Sequence, residues 1–401
     1  MHPELLWKPF DPTHIRNPYA MYTNLREQDP IHRSQTGEWI ITRYADVKSI
    51  LKSNSFKSGN RLEWLSRGIK YFKNQDEELS SIYAAINSFI LFLNPPDHLA
   101  VRNLVSKTWQ NREVDDMIIQ KVKDLVQSLP SGELDAVRDF AQPLPVLVIS
   151  EIMGIPPEDY KYLQALGVKM MRSLDLYHTY KELAELNLAS RSFVAYFQRL
   201  IQVKNDHQDN GLISKLIQSN KKENLLREEQ LISVCIFLFI AGEETTASSI
   251  GTGLFNLIRH PESYRFVQTH MDLLLPAIDE LFRFDPPVQL LGRIAKTEVR
   301  LADTVIPEGA AVTLVLGSAN RDPLQFDDPE NLNLGREPNH HLAFGSGVHY
   351  CLGDWLGRLQ TRYAIKGFLT RYKSVIIKEQ DLCWNKNLSV RGLQSLRVVE
   401  K

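Results

Sequence analysis

The chain has few cysteines and almost no net charge. Its 401 residues include three cysteines, and 47 basic against 48 acidic side chains leave a formal charge of −1. An odd, sparse set of cysteines argues against a disulfide framework and favours a reducing compartment. A balanced charge lacks the overall basic field typical of proteins that bind nucleic acid or acidic membranes. We therefore expect a local binding surface and no nucleic-acid partner.

Targeting and linker signals are also missing. Met1–Phe10 has no basic start followed by an apolar run, so it predicts neither a signal peptide nor a membrane anchor. No Gly/Ser-rich or Pro-rich linker and no repeat of fixed period divides the chain. These absences predict a cytoplasmic protein in which residues 1–401 form a single domain.

Helical spacing dominates what is present. Apolar residues recur at helical intervals over most of the chain, and pairs of prolines stop or start several of the runs. Short β-branched runs predict small sheets in the C-terminal third. The pattern predicts a mainly α fold. Predicted helices cover 19–29, 45–51, 98–110, 112–129, 134–153, 157–173, 179–203, 211–219, 227–260 and 272–284, and predicted strands cover 39–42, 293–300, 305–306, 311–316 and 375–377.

The longest helical run, residues 227–260, contains polar residues in its apolar part. It is apolar nearly all round from Leu231 to Ala241, which predicts a helix buried in a large domain rather than a membrane span. The run Ala241-Gly242-Glu243-Glu244-Thr245-Thr246 follows. A hydroxyl at Thr245 could bond to the Ala241 carbonyl and open a groove for a small ligand, and Glu244 could relay protons. A solvent-facing turn explains the same residues equally well.

Residues 344–353 form a glycine-punctuated loop that brings one cysteine to the start of a helix. Their sequence is Phe-Gly-Ser-Gly-Val-His-Tyr-Cys-Leu-Gly. Glycines permit close approach to a planar cofactor, and amides at a helix start favour a thiolate at Cys351. The loop suits an axial thiolate on haem iron, with an ordinary buried thiol as the alternative. A zinc site with His340, His341 and His349 would lack a second cysteine pair.

Two further pairs lie on helical faces. Glu280 and Arg283 are three residues apart, and Arg336 could bind the same carboxylate. His98 and Arg102 are four residues apart and could hold a carboxylate group of a ligand. Each pair alone is equally typical of a solvated surface.

Together, the Glu-x-x-Arg pair, the Ala-Gly-x-Glu-Thr-Thr run and the Phe-Gly-x-Gly-x-His-x-Cys-x-Gly loop resemble the cytochrome P-450 family of haem-thiolate monooxygenases. The resemblance implies one large helical P-450 domain with small sheets, and haem b buried between the long central helix and the helix after the cysteine. It implies that Cys351 is the axial iron ligand and that Thr245 and Glu244 activate oxygen. It also implies a structural triad of Glu280, Arg283 and Arg336. The implied propionate ligands are His98, Arg102, Arg293 and His349, and the implied porphyrin contacts are Phe344, Gly345, Gly347, Gly353 and Ala241.

The resemblance also implies an activity and its partners. It implies insertion of one oxygen atom from O2 into a hydrophobic molecule, by hydroxylation or epoxidation, in tailoring a bacterial secondary metabolite such as a polyketide, peptide or terpenoid. The substrate would be free or tethered to a carrier protein, and a monomer would receive electrons from a ferredoxin or flavodoxin with its reductase. A peroxide-driven peroxygenase and a non-catalytic haem-thiolate sensor are the alternatives. The predicted substrate pocket is lined by Phe237, Ile240, Ala241, Val288, Leu290, Leu291 and Val390.

Two features depart from the family pattern. Asp354-Trp355 follows the cysteine loop where many bacterial relatives have small residues, and Glu243 makes the oxygen-groove run unusually acidic. The first bears on packing beneath the haem, and the second on the pKa of Glu244, since like charges shift one another. A basic face of Lys107, Arg112, Arg358 and Arg362 could dock an acidic ferredoxin, or could simply be solvated.

Overall fold

The structure, a computed structural model, describes residues 7–59, 80–109, 114–175 and 179–401. Helices dominate these ranges, as the sequence pattern predicts. The α-helices span Pro12–Arg16, Tyr19–Gln28, Tyr44–Lys52, Ser80–Asn87, Asp97–Thr108, Asp115–Ser128, Pro143–Met153, Tyr160–Met171, Tyr180–Asp206, Leu212–Glu223, Glu228–Arg259, Pro261–Thr269, Leu274–Phe284, Leu316–Ala319 and Asp354–Arg371.

Strands are short and concentrated toward the C-terminus. They span Ile31–Arg33, Trp39–Ile41, Phe56–Lys57, Glu133–Asp135, Leu290–Ala295, Val299–Leu301, Thr304–Ile306, Ala311–Val315, Val375–Ile377, Cys383–Trp384, Leu393–Ser395 and Arg397–Glu400. The prediction of small sheets in the C-terminal third is confirmed, although the predicted strand 293–300 is two strands separated by a turn at residues 296–298.

The chain forms two compact units. The first comprises Met1–Lys57, Ile118–Leu144 and Thr245–Lys401, and the second comprises Ser58–Met117 and Pro145–Glu244. The single-domain organisation stays a prediction.

A five-stranded sheet organises the first unit. Trp39–Ile41 lies between Ile31–Arg33, to which it is antiparallel, and Ala311–Val315, to which it is parallel. Leu290–Ala295 continues the sheet and pairs with Phe56–Lys57 at its edge. Fully buried apolar side chains pack against it, as expected for a half-buried sheet. Among them are Ile41, Val47, Val312 and Leu314.

The second unit is helical. Tyr180–Asp206 packs against Ser80–Asn87, Tyr160–Met171 and Leu212–Glu223. Its Phe193 lies against Phe239 of the long helix, with ring centroids 5.9 Å apart. Aromatic contacts of this kind add to the burial energy that holds helices together.

The helix Glu228–Arg259, here called the central helix, is continuous through the small and polar residues 241–246. Its bounds lie within one residue of the prediction. The sequence analysis predicted a buried helix rather than a membrane span, but by length and composition this helix could cross a membrane. In the structure, 72% of its most apolar window is buried, as in core helices of soluble proteins.

The predicted helix 134–153 is wrong in its first half. Glu133–Asp135 is a strand paired with Arg397–Glu400, and Ala136–Ala141 forms a π-helix before the α-helix begins at Pro143. The Asp135 carboxylate accepts hydrogen bonds from the amides of Val137 and Arg138 and so caps the new element. Pairing with a strand from the end of the chain overrides the local helical pattern.

Candidate active site

The cysteine loop, residues 344–353, closes on itself through its backbone. The Cys351 amide donates to the Phe344 carbonyl at 3.0 Å, and the Tyr350 amide donates to the Gly347 carbonyl at 3.0 Å. Cys351 is exposed, and the helix Asp354–Arg371, here called the cysteine-loop helix, begins three residues later. The loop therefore presents its thiol just before a helix N-terminus.

Gly347 is needed for two reasons in this structure. Its φ of +73° lies in the left-handed region that favours glycine. A Cβ there would also overlap the backbone of Leu51. Gly353, in contrast, has open space where a side chain would project. Close approach of a planar group, predicted for both glycines, thus has room beside Gly353, whereas Gly347 serves the packing of the loop.

Glu280 binds both predicted arginines. Arg283 donates from Nε to Oε2 at 2.7 Å and from Nη2 to Oε1 at 2.8 Å, and Arg336 donates from Nε to Oε2 at 3.0 Å. Glu280 and Arg283 are fully buried. Such a pair is stable only with excellent geometry and further hydrogen bonds, and the bidentate contact supplies the geometry.

Asparagines complete this network, and the sequence pattern did not single them out. The Asn333 amide and the Asn339 side chain donate to Glu280 at 2.9 and 3.1 Å. The Asn320 carbonyl accepts from Arg283, and its side chain accepts from the Leu342 amide at 2.7 Å. The segment leading into the cysteine loop is thus anchored to a buried ion pair. The only signal in the sequence was the repeated asparagine in residues 317–343.

Arg293 is a buried cation without an acidic partner in the ranges that the structure describes. It is 5% exposed, and its Nη1 donates to the carbonyl of neighbouring Gly292 at 2.8 Å. Burial lowers the pKa of Arg293 to about 10. Because a buried charge is costly unless it is paired, this guanidinium fits the carboxylate of a bound ligand.

The other predicted propionate ligands lie on separate elements. His349 ends the short turn Gly347–His349 in the first unit. His98 and Arg102 lie on the helix Asp97–Thr108 of the second unit. Burial, and then the charge of Arg102, lowers the pKa of His98 to about 4. A neutral His98 would therefore contribute a hydrogen bond to a carboxylate, and Arg102 the charge.

Two adjacent carboxyl groups of the central helix differ in their surroundings. Glu243 is 3% exposed, and its Oε2 has no hydrogen-bond partner among the described residues. Burial, and then the neighbouring Glu244, raises the pKa of Glu243 well above its ordinary value. Glu244 is only partly buried, and burial raises its pKa to about 7. At neutral pH Glu244 can both hold and release a proton.

Comparisons with known proteins decide the family. The cytochrome P450 family model matches residues 168–395, more than half of the chain. The biotin biosynthesis cytochrome P450 of Bacillus subtilis is 33% identical over 391 residues, which are 96% of each chain. The polyketide biosynthesis cytochrome P450 PksS of the same organism is 32% identical and covers 98% of each. The chain belongs to the cytochrome P450 family.

A solved structure agrees with this assignment. P450BioI, crystallised in complex with an acyl carrier protein carrying hexadec-9Z-enoic acid, superposes with a TM-score of 0.89 at 32% identity. The match covers 97% of this chain and 99% of that one. The predicted P450 fold is therefore confirmed. As a member of the family, this P450 is an oxygen-incorporating oxidoreductase that binds haem b through a cysteine thiolate.

The described residues of this P450 fit haem. The buried guanidinium of Arg293 needs the carboxylate that a haem propionate has. Cys351 is exposed on a loop closed by its own backbone, and no atom lies within 4 Å of the position that a side chain at Gly353 would take. Arg293 thus offers a charge for a propionate, Cys351 offers a thiolate for the iron, and Gly353 leaves room for the porphyrin.

The predicted pocket residues of this P450 occupy both units. Phe237, Ile240 and Ala241 lie on the central helix, and Phe237 packs on Phe89 with ring centroids 5.3 Å apart. In the first unit Val288 bridges to Val390. Leu290 and Leu291 begin a strand, where successive side chains face opposite sides. Leu290 lines a cavity near the N-terminal segment, together with Trp7, Met21, Tyr22 and Arg391.

Because of Glu243, the unfolding free energy of this P450 should fall as pH rises. Burial keeps Glu243 protonated in the folded chain, whereas in the unfolded chain it ionises near about pH 4.3. A folded state that binds more protons than the unfolded state loses stability between the two pKa values. Glu243→Gln, which is neutral throughout, should gain stability relative to the wild type above about pH 5. Urea unfolding at a series of pH values measures that gain.

Glu244→Gln is the matched control for this prediction. Since burial raises the pKa of Glu244 only to about 7, the gain from this variant should level off there. The gain from Glu243→Gln should continue to higher pH. Parallel pH profiles for the wild type and Glu243→Gln would contradict an uncompensated buried carboxyl at position 243.

Proposed function

We propose that this P450 inserts one oxygen atom from O2 into a hydrophobic acyl chain or a related bacterial secondary metabolite, by hydroxylation or epoxidation. Cys351, on its closed loop before a helix, carries the proposal as the residue that would bind the haem iron. Haem supplies the activation of oxygen when it is bound, and the protein supplies the ligand, the orientation and a dry pocket. Similarity to P450s named for biotin and polyketide biosynthesis supports the substrate class.

The proposed haem contacts are propionate ligands and residues around the porphyrin. Arg293, His349, His98 and Arg102 hold the propionates, with Arg293 supplying a charge that is already buried. Phe344, Gly345, Gly347, Gly353 and Ala241 form the contacts around the porphyrin. Glu280, Arg283 and Arg336 hold the segment before the cysteine loop.

Glu244 and Thr245 deliver protons during oxygen activation. The partly buried Glu244 exchanges protons with solvent, because its pKa of about 7 matches neutral pH. Thr245 follows it on the same unbroken helix and is also partly buried. The Thr245 hydroxyl would relay each proton from Glu244, and haem, once bound, would supply the activation of oxygen. These two roles require a carboxyl group next to a hydroxyl group, and Glu244 and Thr245 are adjacent on the central helix.

Thr245→Ala should uncouple electron consumption from product formation. Without the hydroxyl, protons arrive out of position and reduced oxygen escapes as peroxide, so product per electron should fall by about tenfold. Product, peroxide and consumed reductant are measured together. Thr246→Ala, a change at the neighbouring buried threonine, is the control. Equal product per electron in Thr245→Ala and the wild type would contradict this role.

The substrate is presented on a carrier protein. The related P450BioI was crystallised with an acyl carrier protein loaded with a fatty acid, at 32% identity over nearly the whole of both chains. In this proposal Phe237, Ile240 and Ala241 of the central helix offer apolar contacts to such a chain, and so do Val288, Leu291 and Val390. Leu290 lines the cavity near Trp7 instead. Apolar walls with few polar groups are typical of pockets for hydrophobic ligands.

The first experiment compares free and carrier-bound ligands. Hexadec-9Z-enoic acid, the same acid on an acyl carrier protein, and the unloaded carrier protein are each titrated into the ferric enzyme while its Soret band is recorded. We expect the largest low-to-high-spin shift with the loaded carrier, and product once a ferredoxin or flavodoxin and its reductase are added. Product with peroxide alone would identify a peroxygenase, and ligand binding without product under either condition would identify a sensor.

Partner and location complete the proposal. We place this P450 in the cytoplasm as a monomer in which residues 1–401 form a single domain, with electrons from a separate ferredoxin or flavodoxin system. Lys107, Arg358 and Arg362 belong to the predicted basic docking face, and Arg112 lies outside the described residues. Lys107 is paired with Glu223 at 2.8 Å, and Arg358 with Asp279 and Asp354 at 2.7 Å each, which reduces the charge that this face offers.

A further inference from the structure

Arg358 lies on the ring of Phe344, whose carbonyl holds the Cys351 amide. The guanidinium carbon is 4.3 Å from the ring centroid, within the range of a cation–π contact. Phe344 also packs on Phe282, with ring centroids 4.7 Å apart. Its carbonyl accepts from the Cys351 amide at 3.0 Å. A cation, an aromatic ring and an amide thus connect the cysteine-loop helix to the proposed iron ligand.

Two carboxylates hold Arg358 in this position. Its Nε donates to Asp279 Oδ1 and its Nη1 to Asp354 Oδ2, each at 2.7 Å. The Tyr350 hydroxyl donates to the same Asp354 oxygen at 2.8 Å. Partners on two edges of a planar guanidinium fix the plane that lies on the ring. We call Asp279, Tyr350, Asp354 and Arg358 the Arg358 network.

Asp354 adds a second carboxylate to this network. Asp279, which also lies 3.3 Å from His341 Nε2, would alone balance the charge of Arg358. With both carboxylates and a neutral His341, one negative charge remains beside the cysteine loop. Arg358 is 26% exposed and Asp354 is 24% exposed, so solvent screens this charge only in part.

We propose that the Arg358 network sets how readily haem bound at Cys351 accepts an electron. This inference rests on the proposed function, which makes Cys351 the iron ligand. Reduction adds a negative charge, so a nearby cation favours the reduced state and a nearby carboxylate opposes it. Arg358 is a positioning residue, acting through the ring of Phe344 and through its own charge. Asp354 weakens that charge and fixes its place.

Arg358→Leu should lower the reduction potential and Asp354→Asn should raise it. At one fixed applied potential, we expect the ratio of ferrous to ferric protein to change about threefold to tenfold, in opposite directions. An anaerobic spectroelectrochemical titration of the haem-loaded protein measures this ratio, since one electron from the titrant converts one ferric haem to ferrous haem. A purely structural role would move both variants in the same direction.

Arg362→Leu is the matched control. It removes the same charge one turn further along the cysteine-loop helix, where Arg362 lies near the ring of Tyr363, and should change the ratio by less than about twofold. Arg358→Lys keeps the charge but cannot bridge both carboxylates in one plane, so its potential should lie between those of Arg358→Leu and the wild type.

The spectrum of the reduced, carbon monoxide-bound protein separates the possible failures. A wild type without a thiolate-type band would contradict the proposed function. With that band present, unmoved potentials or shifts in one common direction would overturn the present inference alone. If Arg358→Leu takes up no haem, Arg358→Lys and Asp354→Asn decide the same question: opposite shifts support the inference, and equal or absent shifts overturn it.

Discussion

Cys351→Ser should abolish the thiolate-type band of the reduced, carbon monoxide-bound protein and lower product formation by about a hundredfold or more. The proposed function requires this result, because a serine hydroxyl cannot replace the electron donation of an axial thiolate. Cys351 is exposed on a loop whose backbone is fixed by the Phe344 carbonyl. The substitution replaces the sulfur atom of Cys351 by oxygen and keeps the backbone hydrogen bond that closes the loop. The absorbance spectrum and a product assay measure the two effects.

The other two cysteines are the controls. Cys235 is fully buried in the central helix, and burial raises the pKa of its thiol to about 12, which keeps it neutral. Cys383 is exposed, and its Sγ donates to the Gln394 side chain at 3.4 Å. Cys235→Ala and Cys383→Ser should keep the thiolate-type band. Loss of that band in Cys383→Ser, together with its survival in Cys351→Ser, would contradict the assignment of the ligand.

Glu280→Gln should have the second largest effect. It keeps the size of the side chain but removes the charge that binds Arg283 and Arg336, so two buried or nearly buried guanidinium groups lose their carboxylate. Breaking a buried ion pair from one side costs about 3–5 kcal/mol of unfolding free energy. Haem retention should fall too, because the same carboxylate anchors the segment before the cysteine loop. Urea unfolding followed by circular dichroism and by Soret absorbance measures both.

Glu330→Gln serves as the control for this prediction. Glu330 also pairs with an arginine, Arg321, at 2.8 Å, but its side chain is 49% exposed. Arg321 is only 8% exposed but keeps the Phe284 carbonyl as a second acceptor, so loss of the half-exposed carboxylate should cost less than loss of the Glu280 carboxylate. If Glu280→Gln costs no more than Glu330→Gln, the buried network does not hold the segment in place.

Local sequence patterns predicted the bounds of the central helix and the contact between Glu280 and Arg283. The central helix was placed within one residue, because acidic residues open it, an apolar stretch fills it and His260-Pro261 ends it. The contact of Glu280 with Arg283 follows from their spacing on a helix. The residue types made Arg336 a candidate second partner of the same carboxylate, but no spacing rule could establish that contact, because 56 positions separate Arg336 from Glu280.

Contacts between distant segments were beyond prediction. Residues 134–141 have helical spacing, yet a strand from the end of the chain pairs with the first of them. The close approach of Gly347 to the backbone of Leu51 had no signal in the sequence either. No motif or spacing singled out Gly167, although a Cβ at that position would overlap the Glu243 carboxyl. No spacing rule relates residues so far apart, so only the folded chain reveals these requirements.

The parallel pairing of Trp39–Ile41 with Ala311–Val315 has a consequence for synthesis on the ribosome. Trp39 pairs with Val312, so 273 positions of chain must be translated after one partner before the other exists. At about 5–20 residues per second this takes roughly 14–55 s. During that time the early hairpin of Ile31–Arg33 and Trp39–Ile41 exposes an unpaired edge, which is a site for unwanted association. In nascent chains that stop before residue 311, the edge of Trp39–Ile41 therefore stays open to pairing with other chains, whereas in the complete protein Ala311–Val315 covers it.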